Sequence, residues 1–166
     1  LEIFDFFKSN KRILLYLFNE HIIKLDLSII KILTEKRDKN DTKYLHYFYP
    51  EIKSSLKIGK IKMIEKELLS YDPNFFNNFE DNRKTGENES YICSLIRNDS
   101  VEEFITYVNR KNFSLLSKIK PSIFETNSFL IECKESSLIE YAAFYGSIQI
   151  FNYLRLNNVK LTSSLW

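Results

Sequence analysis

Along most of the chain, apolar residues recur three and four positions apart, the period that gathers them on one face of a helix, and strict two-residue alternation is scarce. Asn10 stands before Ile13, Leu14, Leu17 and Phe18, so its side-chain oxygen can accept from the free N–H groups of a first helical turn. Asp26 plays the same part before Ile29, Ile30 and Leu33, and the charged run "TEKRDKND" closes that stripe. Asp41 is placed to cap a third helix, with Leu45 and Phe48 on one side. Pro50 suits the first turn of a separate short helix in "PEIKSSL", because a first-turn N–H has no intrahelical partner to lose. Beyond Gly59, Ile61, Ile64 and Leu68 again share a face. Each of these helices is too short to persist alone and must cover its stripe against neighbours.

From Tyr71 to Glu89 the pattern breaks into "YDPNFFNNFEDNRKTGENE", rich in Asn, Asp and Glu, and predicts a linker or long loop in which "NFFNNF" docks as a short turn. The periodic pattern returns at Ser90. The chain therefore divides into an N-terminal helical region of unknown function (1–71), a polar linker or loop (72–89) and a third part (90–166).

That third part repeats itself. Ser90, Ile92, Ser100 and Val101 correspond to Ser137, Ile139, Ser147 and Ile148. With one residue fewer thereafter, Phe104-Ile105 and Tyr107-Val108 correspond to Ile150-Phe151 and Tyr153-Leu154. Each copy predicts a pair of short antiparallel helices. Ser100 and Glu103 have the spacing of a capping box, and Val101, Phe104, Ile105 and Val108 form the apolar face behind it. In the second copy Ala142 and Ala143 lack bulk where two helix backbones would approach. Gly146 can take the positive φ of a tight inter-helix turn, and Asn158 follows the last helix where a left-handed cap is wanted.

Ser137, Leu138, Ile139 and Glu140, then Ala142, Ala143 and Gly146, then Ile150-Phe151, Tyr153-Leu154 and Asn158-Val159 resemble an ankyrin repeat, with Ser147 in place of its second histidine. The chain thus resembles a divergent ankyrin-repeat protein of the protist type. The fold class this implies is all-α, an array of short antiparallel helix pairs (an ankyrin-like α-solenoid) with long connecting finger loops. The copies start 47 residues apart, Ser90 to Ser137, against about 33 for a standard unit, so the insertion from Arg110 to Glu135 holds extra structure. A short helix is expected at "FSLLSKI", followed by a finger in which Ile123-Phe124 faces Phe129-Leu130 as a weak hairpin. The resemblance also implies a protein-binding scaffold whose groove is lined by the two positions between Ala-Ala and Gly, here Phe144 and Tyr145. Phe124, Glu125 and Asn127, at the presumed finger tip, are further candidates for partner binding.

Composition narrows the chemistry. Lys and Arg total 24 against 22 acids in 166 residues, a net charge of +2 that gives no strong footprint for nucleic acid. Lys53, Lys57, Lys60, Lys62 and Lys66 follow Tyr44, Tyr47 and Tyr49, but Glu51, Glu65 and Glu67 interrupt them, which favours a solvated helix face. His21 and His46 stand apart, and no H-E-x-x-H, C-x-x-C or G-x-S-x-G motif occurs. Gly59, Gly86 and Gly146 are isolated, so no glycine-rich phosphate loop exists. The carboxylate pairs Glu102-Glu103 and Glu65-Glu67 fit helix ends and solvated faces better than acid–base work.

Cys93 and Cys133 match neither a disulfide framework nor a metal site, which fits reduced thiols in a cytoplasmic protein. The longest apolar run, Ile13 to Phe18, is far short of the ~20 residues of a membrane helix. The expected function is therefore non-catalytic, without cofactor or metal. The alternative is an RNA-binding or enzymatic N-terminal module carrying an ankyrin-like appendage. Leu1 at the start, and an echo of Ser137, Leu138 and Ile139 in Ser164, Leu165 and Trp166, suggest a fragment whose uncovered end could self-associate.

Overall fold

A computed structural model describes residues 2–34, 42–132 and 136–161. It is all-α in kind: among the described residues it has twelve α-helices, one 3-10 turn and no strand beyond a single isolated bridge. The chain forms two compact units, unit 1 from Leu1–Glu87 with Ser122–Ser128, and unit 2 from Asn88–Pro121 with Phe129–Trp166.

Unit 1 carries α1 (Glu2–Phe7), α2 (Lys11–Asn19), α3 (Leu27–Thr34), α4 (Thr42–Tyr47), α5 (Tyr49–Ile52) with a 3-10 turn at Lys53–Ser55, α6 (Ile58–Tyr71) and α7 (Phe79–Thr85). Two predicted caps form. Asn10 Oδ1 accepts from the Ile13 N–H at 3.0 Å, and Asp26 Oδ1 accepts from the Ile29 N–H at 2.9 Å and from the Ser28 hydroxyl. The expected cap at Asp41 lies outside the described residues. The stripes bury Leu14, Leu17 and Phe18, then Ile29 and Leu33, Leu45 and Phe48, and Ile64 and Leu68, whereas Ile13 is exposed.

One helix stands where a loop was expected. In α7, Phe79 is buried and Phe75 before it is buried with it, so burial of two rings holds a helix of otherwise polar residues. Glu80 and Asp81 in its first turn and Arg83 and Lys84 in its last suit the helix dipole, and Gly86 ends it at φ +69° with its N–H donating to the Asn82 carbonyl.

Unit 2 contains α8 (Tyr91–Arg97), α9 (Val101–Arg110), α10 (Ser128–Glu132) from its second residue on, α11 (Leu138–Tyr145) and α12 (Ile148–Leu156). The helix pairs α8–α9 and α11–α12 repeat one backbone path. Asp99 and Gly146 turn between the helices at φ +50° and +69°, and Asn112 and Asn158 follow the second helices at +47° and +62°. The Ser100 N–H donates to Leu95 O and the Ser147 N–H to Ala142 O. After the second helices, the Phe113 N–H donates to Val108 O and the Val159 N–H to Leu154 O. Helix α8 packs on α11 and α9 on α12, burying Cys93, Ile96, Phe104, Leu138, Ile139, Ala142, Ile150 and Leu154.

The predicted capping box moves from one copy to the other. Ser100 makes no side-chain cap, and Glu103 instead accepts from the Tyr91 hydroxyl at 3.4 Å. Ser137 and Glu140 form the reciprocal box: the Ser137 N–H donates to Glu140 Oε2 at 2.6 Å, and Ser137 Oγ accepts from the Glu140 N–H at 3.3 Å. Helix α12 is capped from the neighbouring copy, where the Asp99 carboxylate accepts from the N–H groups of Gln149 and Ile150, both at 3.0 Å.

The insertion departs from expectation. "FSLLSKI" is not a helix; the Ser117 N–H closes a turn on Ser114 O, and the following residues extend so that Lys118 pairs with Ser137 and the Ile119 N–H donates to Ser136 O at 2.8 Å. The hairpin of Ile123-Phe124 against Phe129-Leu130 does not form. Ile123 and Phe124 are buried in the core of unit 1, while Phe129 and Leu130 lie in α10. The echo at Ser164, Leu165 and Trp166 lies outside the described residues, as does Cys133.

Candidate functional site

The second helix pair positions a run of aromatic rings on unit 2. Helix α11 buries Leu138, Ile139, Tyr141 and Ala142, so the next turn carries Phe144 and Tyr145 toward the edge of that packed face. Phe144 is 39% exposed and stacks on Phe129 of α10, itself 50% exposed, with ring centroids 5.4 Å apart and planes 4° from parallel. Tyr145 is half-buried, meets Phe144 edge-on at 5.0 Å and touches Tyr141 at 4.7 Å.

Arg97 completes the group from α8. Its guanidinium donates to the Asn88 carbonyl at 2.9 Å and to the Tyr141 hydroxyl at 3.0 Å, and it lies 6.0 Å from the centre of the Tyr145 ring. Burial holds the Tyr141 hydroxyl far above its ordinary range and pushes the Cys93 thiol beneath it up to about 11. Both groups stay neutral at physiological pH. The arrangement offers flat apolar faces beside a fixed cation and no activated nucleophile.

Of the sequence candidates, Phe144 and Tyr145 are brought together here, with Phe129 and Arg97 beside them. Phe129 could not be recognised as their neighbour because its place depends on α10. Phe124, Glu125 and Asn127 belong to unit 1: Phe124 is 1% exposed, Glu125 is buried, and Asn127 is exposed with its N–H donating to Glu125 Oε1 at 2.9 Å. Phe124 is thus a core residue.

His46 Nε2 lies 3.3 Å from Glu67 Oε2. An open cleft of about 880 Å³ on unit 1 is lined by Phe18, His21, Ile23, Lys24, Leu25 and Glu51. Glu51 in that lining is held by two hydrogen bonds from the buried Arg83, at 2.7 and 3.0 Å. Along the lysine-rich stretch, Lys53 donates to Glu65 at 2.9 Å and the Tyr49 hydroxyl donates to the same oxygen at 2.7 Å. Glu65 is lowered from its ordinary value by Lys53 first and Tyr49 second. The rings of Tyr47 and Tyr49 are buried, so neither is open to stack on a base.

Among the described residues no cluster of three or more metal-binding side chains occurs, and no helix is long and apolar enough to cross a membrane. Comparison with family models, with curated proteins and with solved structures finds no match for this chain.

Proposed function

We propose that this chain is a non-catalytic protein-binding scaffold of ankyrin-like helix pairs, and that the aromatic run Phe129, Phe144 and Tyr145 on unit 2 is where a partner docks. The observation that carries the reading is the exposure of stacked Phe129 and Phe144 beside the anchored Arg97. Rigid aromatic and guanidinium groups lose little conformational freedom on binding and commonly dominate interface energetics. The ankyrin-like part of the reading draws support from the repeated left-handed turns and from the stacking of α8 on α11 and α9 on α12. An alternative role for unit 1 in RNA binding has less support, because, of the tyrosines that would stack on bases, Tyr47 and Tyr49 are buried and Tyr44 is partly covered.

The test compares affinity capture by the parent chain, by F144S and by the control L156S, which alters an exposed leucine on α12. A partner retained by the parent and by L156S should fall about tenfold or more with F144S. The F144S melting temperature should drop by less than about 5 °C, because the ring is only partly covered. Unchanged capture, or a drop the size of a core truncation, would overturn the assignment.

A further inference from the structure

Residues 122–128 sit in unit 1 in the manner of a bound peptide. Phe124 stacks on Phe75 with centroids 5.3 Å apart and meets Phe79 edge-on at 5.6 Å. The fully buried Lys11 donates from its ammonium to the carbonyls of Ile123 at 2.8 Å and Glu125 at 3.0 Å, gripping the backbone on both sides of the ring. Thr126 donates twice to the Gly86 carbonyl, from its N–H at 3.0 Å and its hydroxyl at 2.8 Å. Gly86 has no side chain where that contact is made, and a Cβ there would stand 2.9 Å from Thr126 Oγ1.

Residues 122–127 form no helix or strand. The Ser122 hydroxyl and the Glu125 carboxylate accept from the N–H groups of Phe124 and Asn127, shaping the segment's bends locally. One aromatic anchor in an apolar pocket, with the flanking main chain bonded by the receptor, is how extended peptides are recognised. The chain on either side, ending at Pro121 and resuming at Phe129, belongs to unit 2.

We propose that unit 1 is a receptor for residues 122–128 and that the same recognition operates between copies, the segment of one chain filling the groove of a second to give a domain-swapped dimer. Every contact named above is reproduced when two identical chains exchange the segment, so exchange needs no new complementary surface. The segment held in place acts at an effective concentration of about the millimolar range. Exchange therefore follows partial opening at high protein concentration.

The experiment titrates a labelled synthetic peptide of residues 119–130 into the full chain carrying F124A, whose groove has lost its anchor. Capture at least tenfold tighter than by the parent chain is expected, and it should vanish when the peptide itself carries Phe124→Ala. Equal capture by both chains, or capture indifferent to the peptide's phenylalanine, overturns the receptor. Should F124A not fold, F124L, which keeps an apolar side chain, is read in the same titration against the same outcomes. The parent chain, concentrated and warmed to just below its melting point and then cooled, should yield a dimer by light scattering that F124A does not form. A parent chain that stays monomeric throughout overturns the exchange between copies, even if the peptide is captured.

Discussion

Gly86 and Gly146 share a φ of +69° and differ only in their surroundings. A Cβ on Gly146 would meet nothing within 4 Å, so G146A carries the left-handed backbone penalty alone, about 1 kcal/mol. A Cβ on Gly86 would press against Thr126 and the Arg12 side chain at 2.9–3.3 Å, so G86A should cost about 2 kcal/mol or more. Denaturant titration of the two variants measures the difference; equal losses would mean the Thr126 segment yields freely. The turn at Gly146 was legible from its setting between two helical stripes. The tight fit at Gly86 was not, because the residue that crowds it lies 40 positions away.

At the scale of single helices, the pattern Ser-x-x-Glu promised more than it delivered. Both copies carry it, yet only Ser137 and Glu140 bond reciprocally, because Glu103 turns to the Tyr91 hydroxyl. Loss of the cap in S137A should cost about 1 kcal/mol, and S100A should change stability by less than about 0.5 kcal/mol. D99A should cost about 1–2 kcal/mol, because it strips the acceptor from two N–H groups at the start of α12. The order D99A and S137A above S100A, read from equilibrium unfolding, checks all three. Reversal of that order would mean the caps are not formed as described. Helix α7 shows the opposite failure, since its polar sequence concealed a helix that exists because Phe75 and Phe79 are buried.

For the whole molecule, each unit has its own core with ionisable side chains buried in it, so alkaline pH should weaken both cores. Burial pushes the Cys93 thiol in unit 2 from 9.0 up to about 11. Burial likewise pushes Tyr47 in unit 1 from 10.0 up to about 12, against the pull of Arg83 and Arg12. Both groups hold their proton more firmly when folded. Their contribution is therefore complete below the unfolded value and lost as pH rises through the folded one: between 9 and about 11 for Cys93, between 10 and about 12 for Tyr47. The melting temperature should hold to pH 9 and fall above it, with at most about 3 kcal/mol at stake for each group. C93A should flatten the lower range, and Y47F should lessen the fall above pH 10 without abolishing it, because burial also raises Tyr141 from 10.0. A C93A profile as steep as the parent's would remove the thiol from the account.

Local pattern by itself determined that the chain is helical, where most helices begin, which faces they bury and that two helix pairs repeat, because stripes, caps and turn residues act over three to five neighbouring positions. Phe144 and Tyr145 were singled out by the ankyrin resemblance and not by spacing alone. Only the tertiary structure decided that Asp99 caps a helix some fifty residues ahead, that Phe129 stacks on Phe144, and that Phe124 leaves its neighbours to join the core of unit 1. Those outcomes depend on which apolar surface lies within reach once the helices have packed, and no local spacing encodes that.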